Sequence, residues 1–309
     1  MRKVFAAQLL AEFKQNQRLM LLAGDLGYGV LEDIVKQCPR QYLNVGVAEQ
    51  NMMGIATGLA LEGYSVFVYS IANFPILRCL EQVRNDVCYH GANVKIVSIG
   101  GGFSYGGLGF SHHATEDLAI MRAMPYMTVV APGDRFETAQ ATAVLARHVG
   151  PAYLRLDKLD KSLPDSAAAG DTGFSLGKAR VLRPGKDVTL MASGGIVFEA
   201  LKAAELLAQE GVDCRVLSMH TVSPLDVDAV TKAARETRAL VTVEEHTVTG
   251  GLGSAVAETC LEAAVLPHKF YRLGLRTGFA TAVGSQEYLR KQYGMAAIHI
   301  QDTVKRLLG

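Results

Sequence analysis

Three places in the sequence put reactive residue types where chemistry is usually done. The first is Val47-Ala48-Glu49-Gln50-Asn51, at the junction of a predicted strand and a predicted helix. Sheets of alternating strands and helices bind ligands at the C-terminal edges of their strands. Glu49 falls in the first turn of an otherwise apolar helical segment. A carboxylate there either complements the helix dipole or, in a partly dry pocket, holds or shares a proton. The second place is Ser111-His112-His113, which closes the glycine-rich stretch GGGFSYGGLG at 100–109. Adjacent loop histidines either both meet solvent, or one enters a cleft to give or take a proton. Long loops without structure of their own are more often functional than short ones. The third place is aromatic and cationic. Phe74, just after a strand, stacks on a flat ring or fills core. Arg155 lies inside a strand, where a guanidinium needs a carboxylate or an anionic ligand. Arg78 and Arg84, on the helical segment after Phe74, read as solvated or salt-bridged.

The elements that must position these residues alternate regularly. Apolar runs at 19–24, 42–46, 65–70, 94–100, 127–132 and 152–156 read as strands, with helical spacing at 48–63, 75–91, 116–124 and 134–149. The last helix opens with Asp134 and Glu137 at capping-box spacing. Continuous apolar strands between helices imply a parallel sheet covered on both faces. A polar Gly/Ala/Ser-rich stretch with Pro164 reads as a linker. The alternation then resumes, with strands at 187–193, 213–219, 239–245 and 269–275 and helices near 196–210, 226–237, 252–265 and 285–308. The expected fold is α/β: two doubly wound domains, 1–157 and a smaller 178–309, joined by a linker at 158–177. A length of 309 residues agrees with two domains.

Composition narrows the function classes. Thirty-one Lys+Arg against 30 Asp+Glu give a net charge of +1, without the broad basic field of a nucleic-acid binder. The five cysteines show no metal-ligand spacing and read as small buried hydrophobes in a reducing compartment. No apolar run approaches the ~18 residues of a membrane span, and the N-terminus reads as an amphipathic helix and not a signal peptide. These features predict a cytoplasmic protein. Mildly positive mean hydropathy hints at a buried subunit interface. The turn TGGLGS at 249–254 opens a helix after a strand; tight strand-to-helix packing explains it more simply than phosphate binding.

Taken together, NVGVAEQNMMGIATGLALEGY, CLEQVRNDV, the glycine loop running into SHHATEDLAIMRAMPYMTVVAPGD, PAYLRLD, VLSMHTVSPLD and VTVEEHTVTGGLGSAVAE resemble the C-terminal half of transketolases and deoxyxylulose-phosphate synthases. The resemblance covers nearly the whole chain. It implies a pyrimidine-binding domain, a transketolase C-terminal-type domain and thiamine diphosphate as cofactor. It implies that Glu49 bonds N1′ of the cofactor's aminopyrimidine, favouring the imino tautomer whose 4′-nitrogen removes the thiazolium C2 proton. Phe74 matches the aromatic that stacks on the pyrimidine, His112 the histidine that meets substrate oxygens, with His113 beside it. Arg155 matches the arginine that meets an acceptor's phosphate or carboxylate.

Two departures from the family pattern carry information. The diphosphate and metal motif, GDG followed by NN, does not occur, and Gly24-Asp25-Leu26-Gly27 is not it. The resemblance therefore implies the small subunit of a split transketolase. Thiamine diphosphate would be shared at a subunit interface, with Mg²⁺ or Ca²⁺ held by a diphosphate-binding large subunit, in an α2β2 assembly inactive as one chain. In the glycine loop, Leu108 stands where the family carries aspartate, Ser111 where it carries threonine, and Gly100 and Gly101 where sugar-phosphate enzymes carry cations. Losing a hydroxyl-reading aspartate and two cations points to an acceptor that is not an ordinary aldose phosphate. The expected reaction is transfer of a two-carbon ketol unit from a ketose-type donor to an aldehyde. The alternatives are a β-type subunit of a 2-oxo-acid decarboxylating complex and a non-catalytic paralogue.

Overall fold

A computed structural model describes residues 1–158, 162, 173–276 and 278–309. The strands are β1 (Leu19–Ala23), β2 (Tyr42–Asn44), β3 (Ser65–Ile71), β4 (Val94–Ile99), β5 (Thr128–Val130), β6 (Ala152–Leu156), β7 (Arg180–Arg183), β8 (Val188–Ser193), β9 (Cys214–Ser218), β10 (Thr221–Ser223), β11 (Ala239–Thr247) and β12 (Phe270–Leu275). The helices are α1 (Arg2–Gln15), α2 (Glu32–Gln37), α3 (Glu49–Leu61), α4 (Phe74–Leu77), α5 (Leu80–Gln82), α6 (Asp117–Arg122), α7 (Arg135–Arg147), α8 (Val197–Gln209), α9 (Val227–Glu236), α10 (Leu252–Glu262), α11 (Gln286–Gln292) and α12 (Ala297–Leu308). Two sheets result, ordered β10-β5-β6-β4-β3-β1-β2 and β12-β11-β8-β9-β7. Pairing is parallel except where β10 meets β5 and β7 meets β9.

The expected α/β class of two parallel-sheet units is what the chain adopts. The central strands explain it. Along β3, Phe67 and Tyr69 enter the core shared with α1 and α7, while Val66 and Val68 enter the core shared with α3. A strand buried on both faces needs apolar residues at every position, and β3, β4, β6 and β8 have them almost throughout.

Several boundaries differ from the sequence reading. The helix expected at 75–91 is broken into α4, α5 and a wide π-type turn over Val83–Cys88, which turns Val83, Val87 and Cys88 inward. The helix expected at 285–308 is split at Gly294, whose φ of +71° no regular helix accommodates. The expected linker falls mostly outside the described residues. At its far end Phe174 is packed, with its ring stacked 4.2 Å from that of His220. Strand β10, unforeseen, comes from the second half of the chain and completes the sheet of the first. Asp134 caps α7 by accepting from Glu137 N at 2.7 Å, but the Glu137 side chain does not close the box. It accepts from Gly133 N at 2.6 Å and from Ser218 Oγ at 3.0 Å, and pairs with Arg180 at 3.4 Å.

Buried polar contacts of this kind dock the two halves. His246 accepts from Ala119 N through Nε2 at 3.3 Å and donates from Nδ1 to Thr247 O at 2.6 Å. Burial lowers its pKa to about 4. A proton on Nε2 would face the Ala119 N–H. The folded form thus binds fewer protons than the unfolded chain between about pH 4 and 6.5, and stability is lost as pH falls through that window. The full effect is about 3 kcal/mol. Glu137 and Glu244, both pushed up to about 7 by burial, pull the opposite way. The test is therefore the difference in unfolding midpoint between wild type and His246→Asn, which should shrink as the pH drops from about 6.5 to 4.5. A pH-independent difference would contradict the assignment.

Candidate active site

The site begins where β2 ends. Asn44 Oδ1 accepts from Asp25 N at 3.1 Å and from Gly46 N at 3.0 Å, tying the exits of β1 and β2 together. Gly46, at φ +75°, makes the turn into α3. Glu49 is the first residue of that helix and is only 4% exposed. A pocket of about 430 Å³ opens beside it, lined by Val47, Ala48, Glu49, Gln50, Asn51 and Arg78.

Phe74 starts α4 directly beyond β3. Between Phe74 and Glu49 lies Arg78. Its Nη1 donates to both Glu49 carboxylate oxygens at 3.1 and 3.2 Å, and its guanidinium carbon sits 4.0 Å from the Phe74 ring centroid. The sequence reading of Arg78 as salt-bridged is correct, and its partner is the candidate catalytic carboxylate. A slot spanned by a flat donor group, with an aromatic face on one side and a carboxylate at its end, fits a flat nitrogen heterocycle.

His112 completes this side. Its ring meets Phe74 edge-on at 5.3 Å and Tyr105 at 6.4 Å, and Nδ1 pairs with Ser111 Oγ at 3.0 Å. Burial, then the charge of Arg78, lowers its pKa, which favours neutral imidazole. Asn73, which the sequence reading passed over, pins the loop by donating to Ser111 O at 3.2 Å and His113 O at 2.7 Å. Its signal is position alone, one residue before Phe74.

Two expected site residues are elsewhere. His113 is 3% exposed, its ring edge-on to Phe103 at 5.2 Å, so it does not face the slot. Adjacent residues at the end of a 3₁₀ turn point apart, and only His112 is left outside. Arg155 is also 3% exposed. Its Nε bonds Asp117 Oδ2 at 2.8 Å and its Nη2 bonds Ala114 O at 2.9 Å and Glu245 O at 3.0 Å, all within the protein. In this structure it ties the junction of the two halves together. A second exposed cation on this side, besides Arg78, is Lys158, whose Nζ lies 5.3 Å from the Tyr105 ring centroid. It was missed because it sits at the edge of the expected linker.

The glycine loop now has a physical reason. A Cβ on Gly100, at φ +97°, would lie 2.2 Å from Tyr105; on Gly101 it would lie 2.5 Å from Arg155 Nε. No cationic side chain can be carried at these positions in this packing. The TGGLGS turn likewise resolves to packing. Glu244 accepts from Leu252 N at 2.7 Å and Gly253 N at 2.9 Å, so its own carboxylate fills the α10 N-terminus. All five cysteines are free, and burial pushes the Cys79 thiol up to about 12. Among the described residues no cluster of His, Cys, Asp and Glu could hold a metal ion.

The sequence pattern described as transketolase, pyrimidine binding domain, matches residues 1–161, and that described as transketolase, C-terminal domain, matches 177–300. The chain belongs to the transketolase family. It is 40% identical, over 85% of its own length and 84% of the relative's, to one of the subunits of the apulose-4-phosphate transketolase of Phocaeicola vulgatus. It is 39% identical, over 97% and 92%, to the SqwH subunit of the 6-deoxy-6-sulfo-D-fructose transketolase of Clostridium sp. strain MSTE9. A solved structure described as a split gene transketolase, inactive beta4 tetramer, superposes with a TM-score of 0.88 at 35% identity, covering 99% of this chain and 97% of that one. The function is thus transketolase-like, the family implies thiamine diphosphate, and relatives that are themselves subunits imply a partner subunit and an oligomer. A 2-oxo-acid β-type subunit is not favoured. No helix among the described residues is long and apolar enough to cross a membrane.

Proposed function

We propose that this chain is the pyrimidine-binding subunit of a two-subunit transketolase, moving a two-carbon ketol unit from a ketose-type donor to an aldehyde. The observation that carries the reading is the shared slot. Glu49 and Phe74, at the starts of separate helices, grip one flat donor group from its edge and its face. Thiamine diphosphate, when bound, supplies the nucleophilic carbon that takes up the ketol unit. Glu49 then holds a proton at ring nitrogen N1′, Phe74 stacks on the ring, and Arg78 gives up its place between them. Burial of Glu49 keeps water from competing for that proton. His112, at the slot's open side, bonds substrate oxygens and exchanges protons with them.

The proposed division is a pyrimidine-binding unit at 1–157, a connector at 158–177 and a C-terminal unit at 178–309. The diphosphate and its Mg²⁺ or Ca²⁺ fall to a partner subunit with the GDG and NN sequences that this chain lacks. An α2β2 enzyme follows, in the cytoplasm. The acceptor is proposed to be other than an ordinary aldose phosphate. Leu108, 57% exposed, has no group to read a hydroxyl, and Lys158 is the cation proposed to meet a terminal anion. Two relatives are named for apulose 4-phosphate and for 6-deoxy-6-sulfo-D-fructose, sugars with a phosphate or sulfonate group.

The test is reconstitution. The purified chain should show no turnover with thiamine diphosphate and Mg²⁺, and C–C transfer without CO₂ release should appear on adding the partner. Turnover by this chain alone contradicts the split site. Efficient use of xylulose 5-phosphate with ribose 5-phosphate contradicts the acceptor proposal.

A further inference from the structure

The His112 loop is fastened to the second half of the chain around a buried carboxylate. Glu245, at the end of β11 and 3% exposed, accepts from Phe103 N at 2.5 Å. The same oxygen accepts from Gln286 Nε2 at 2.8 Å, and Gln286 also reaches Ser104 Oγ at 3.3 Å. Its other oxygen pairs with Arg290, which is 5% exposed. Around this hub the loop lies flush on α11 and the segment before it. Gly284 N donates to Gly106 O at 3.2 Å, and a Cβ on Gly106 would fall 2.5 Å from Gly284 O and from Leu289 Cδ1. The Phe103 ring stacks 5.5 Å from Tyr293, and on its other contact holds His113 edge-on. Asp157 adds a link, accepting from Ser104 Oγ at 3.3 Å and from Gly195 N at 2.7 Å.

None of these groups reaches the Glu49–Phe74 slot. They fix residues 101–106, and through the short turns that follow they fix where His112 stands. We propose that Glu245 is a positioning residue for His112, and that the C-terminal half acts as a clamp holding the proton-transfer loop against the pyrimidine-binding half. This rests on the reading of His112 as a substrate-contacting group. A donor displaced by about 1 Å can lose about 100-fold in rate, so loosening the clamp should lower kcat while leaving cofactor affinity, set by Glu49 and Phe74, unchanged.

The experiment is a double-mutant cycle in the reconstituted enzyme, with Glu245→Gln, His112→Ala and the pair. Glu245→Gln should cost about 10- to 100-fold in kcat in the wild-type background and nearly nothing once His112 is gone. An equal loss in both backgrounds overturns the proposal. Gln286→Ala, at a partly buried position, should show a smaller effect of the same pattern and guards against misfolding of the Glu245 variant. Carbethoxylation by diethylpyrocarbonate, read by peptide mass spectrometry, supplies a readout without turnover. In Glu245→Gln the rate at His113 should rise several-fold while that at buried His220 stays unchanged. Unchanged His113 labelling overturns the clamp. Wild-type activity in His112→Ala, with His113 labelling raised in Glu245→Gln, would instead sink the role of His112 and leave the clamp standing.

Discussion

Glu49→Gln in the reconstituted enzyme should lower kcat by about 10²- to 10⁴-fold, the range for losing a positioned proton-transfer group. The substitution keeps the volume and one hydrogen-bonding oxygen of the side chain. It removes the charge that pairs with Arg78 and the capacity to hold a proton at a ring nitrogen. Glu49 is almost wholly buried, at the mouth of a helix whose other inward residues are Met52, Met53, Ala56 and Thr57, none of them ionisable. No other carboxylate lines the pocket to take its place. Binding of thiamine diphosphate, followed by calorimetry, should weaken far less than kcat falls, because the Phe74 face and the partner's hold on the diphosphate remain. A kcat within about threefold of wild type would remove Glu49 from the proton pathway and would revive the reading of this chain as a non-catalytic paralogue.

Much of the fold was legible because buried parallel strands leave little choice of residue. The ten strands expected from apolar runs all form, since SVFVYS or VKIVSIG cannot be placed on a solvent face without exposing most of its side chains. Strands β7 and β10 were not legible. Each is short, antiparallel and at or near a sheet edge, and β10 is defined by its partner β5 from the other half, not by a pattern of its own. In the candidate site, the placing of Glu49 and Phe74 at strand-to-helix junctions was legible from the pattern of strands. The neighbouring histidines could not be separated from sequence, because which of two adjacent loop side chains turns inward depends on how Phe103 and Gly106 of the same loop pack against Tyr293 and Gly284, distant in sequence. The partner of Arg155 was not legible for a related reason. A strand arginine demands a partner, but the sequence does not say whether that partner is a ligand or Asp117, which is distant in sequence and adjacent in space.

Lys158 and Arg155 should therefore respond in opposite ways. Lys158 is exposed two residues beyond β6, with its Nζ 5.3 Å from the Tyr105 ring, which itself lies 6.4 Å from that of His112, and we take it as the cation that meets the tail of an extended acceptor. A charge-assisted hydrogen bond to an anion contributes about 1.5–3 kcal/mol. Lys158→Ala should then lower kcat/KM for an acceptor with a terminal phosphate, sulfonate or carboxylate by about 10- to 100-fold. Turnover of uncharged glycolaldehyde should stay within about twofold, because nothing in that acceptor reaches Lys158. Arg155→Ala has no such selectivity. It leaves Asp117, 3% exposed, with the Tyr153 hydroxyl at 2.7 Å as its remaining close donor, and it removes one donor from each of two carbonyls, Ala114 O and Glu245 O, at the junction of the halves. Breaking a buried ion pair from one side costs about 3–5 kcal/mol, so its signature is a lower unfolding midpoint and a poor yield of folded chain. Equal losses with charged and uncharged acceptors in Lys158→Ala would reject the anion role. A stable Arg155→Ala protein with a selective rise in KM for anionic acceptors would return that role to Arg155, and would require the guanidinium to leave Asp117 whenever substrate arrives.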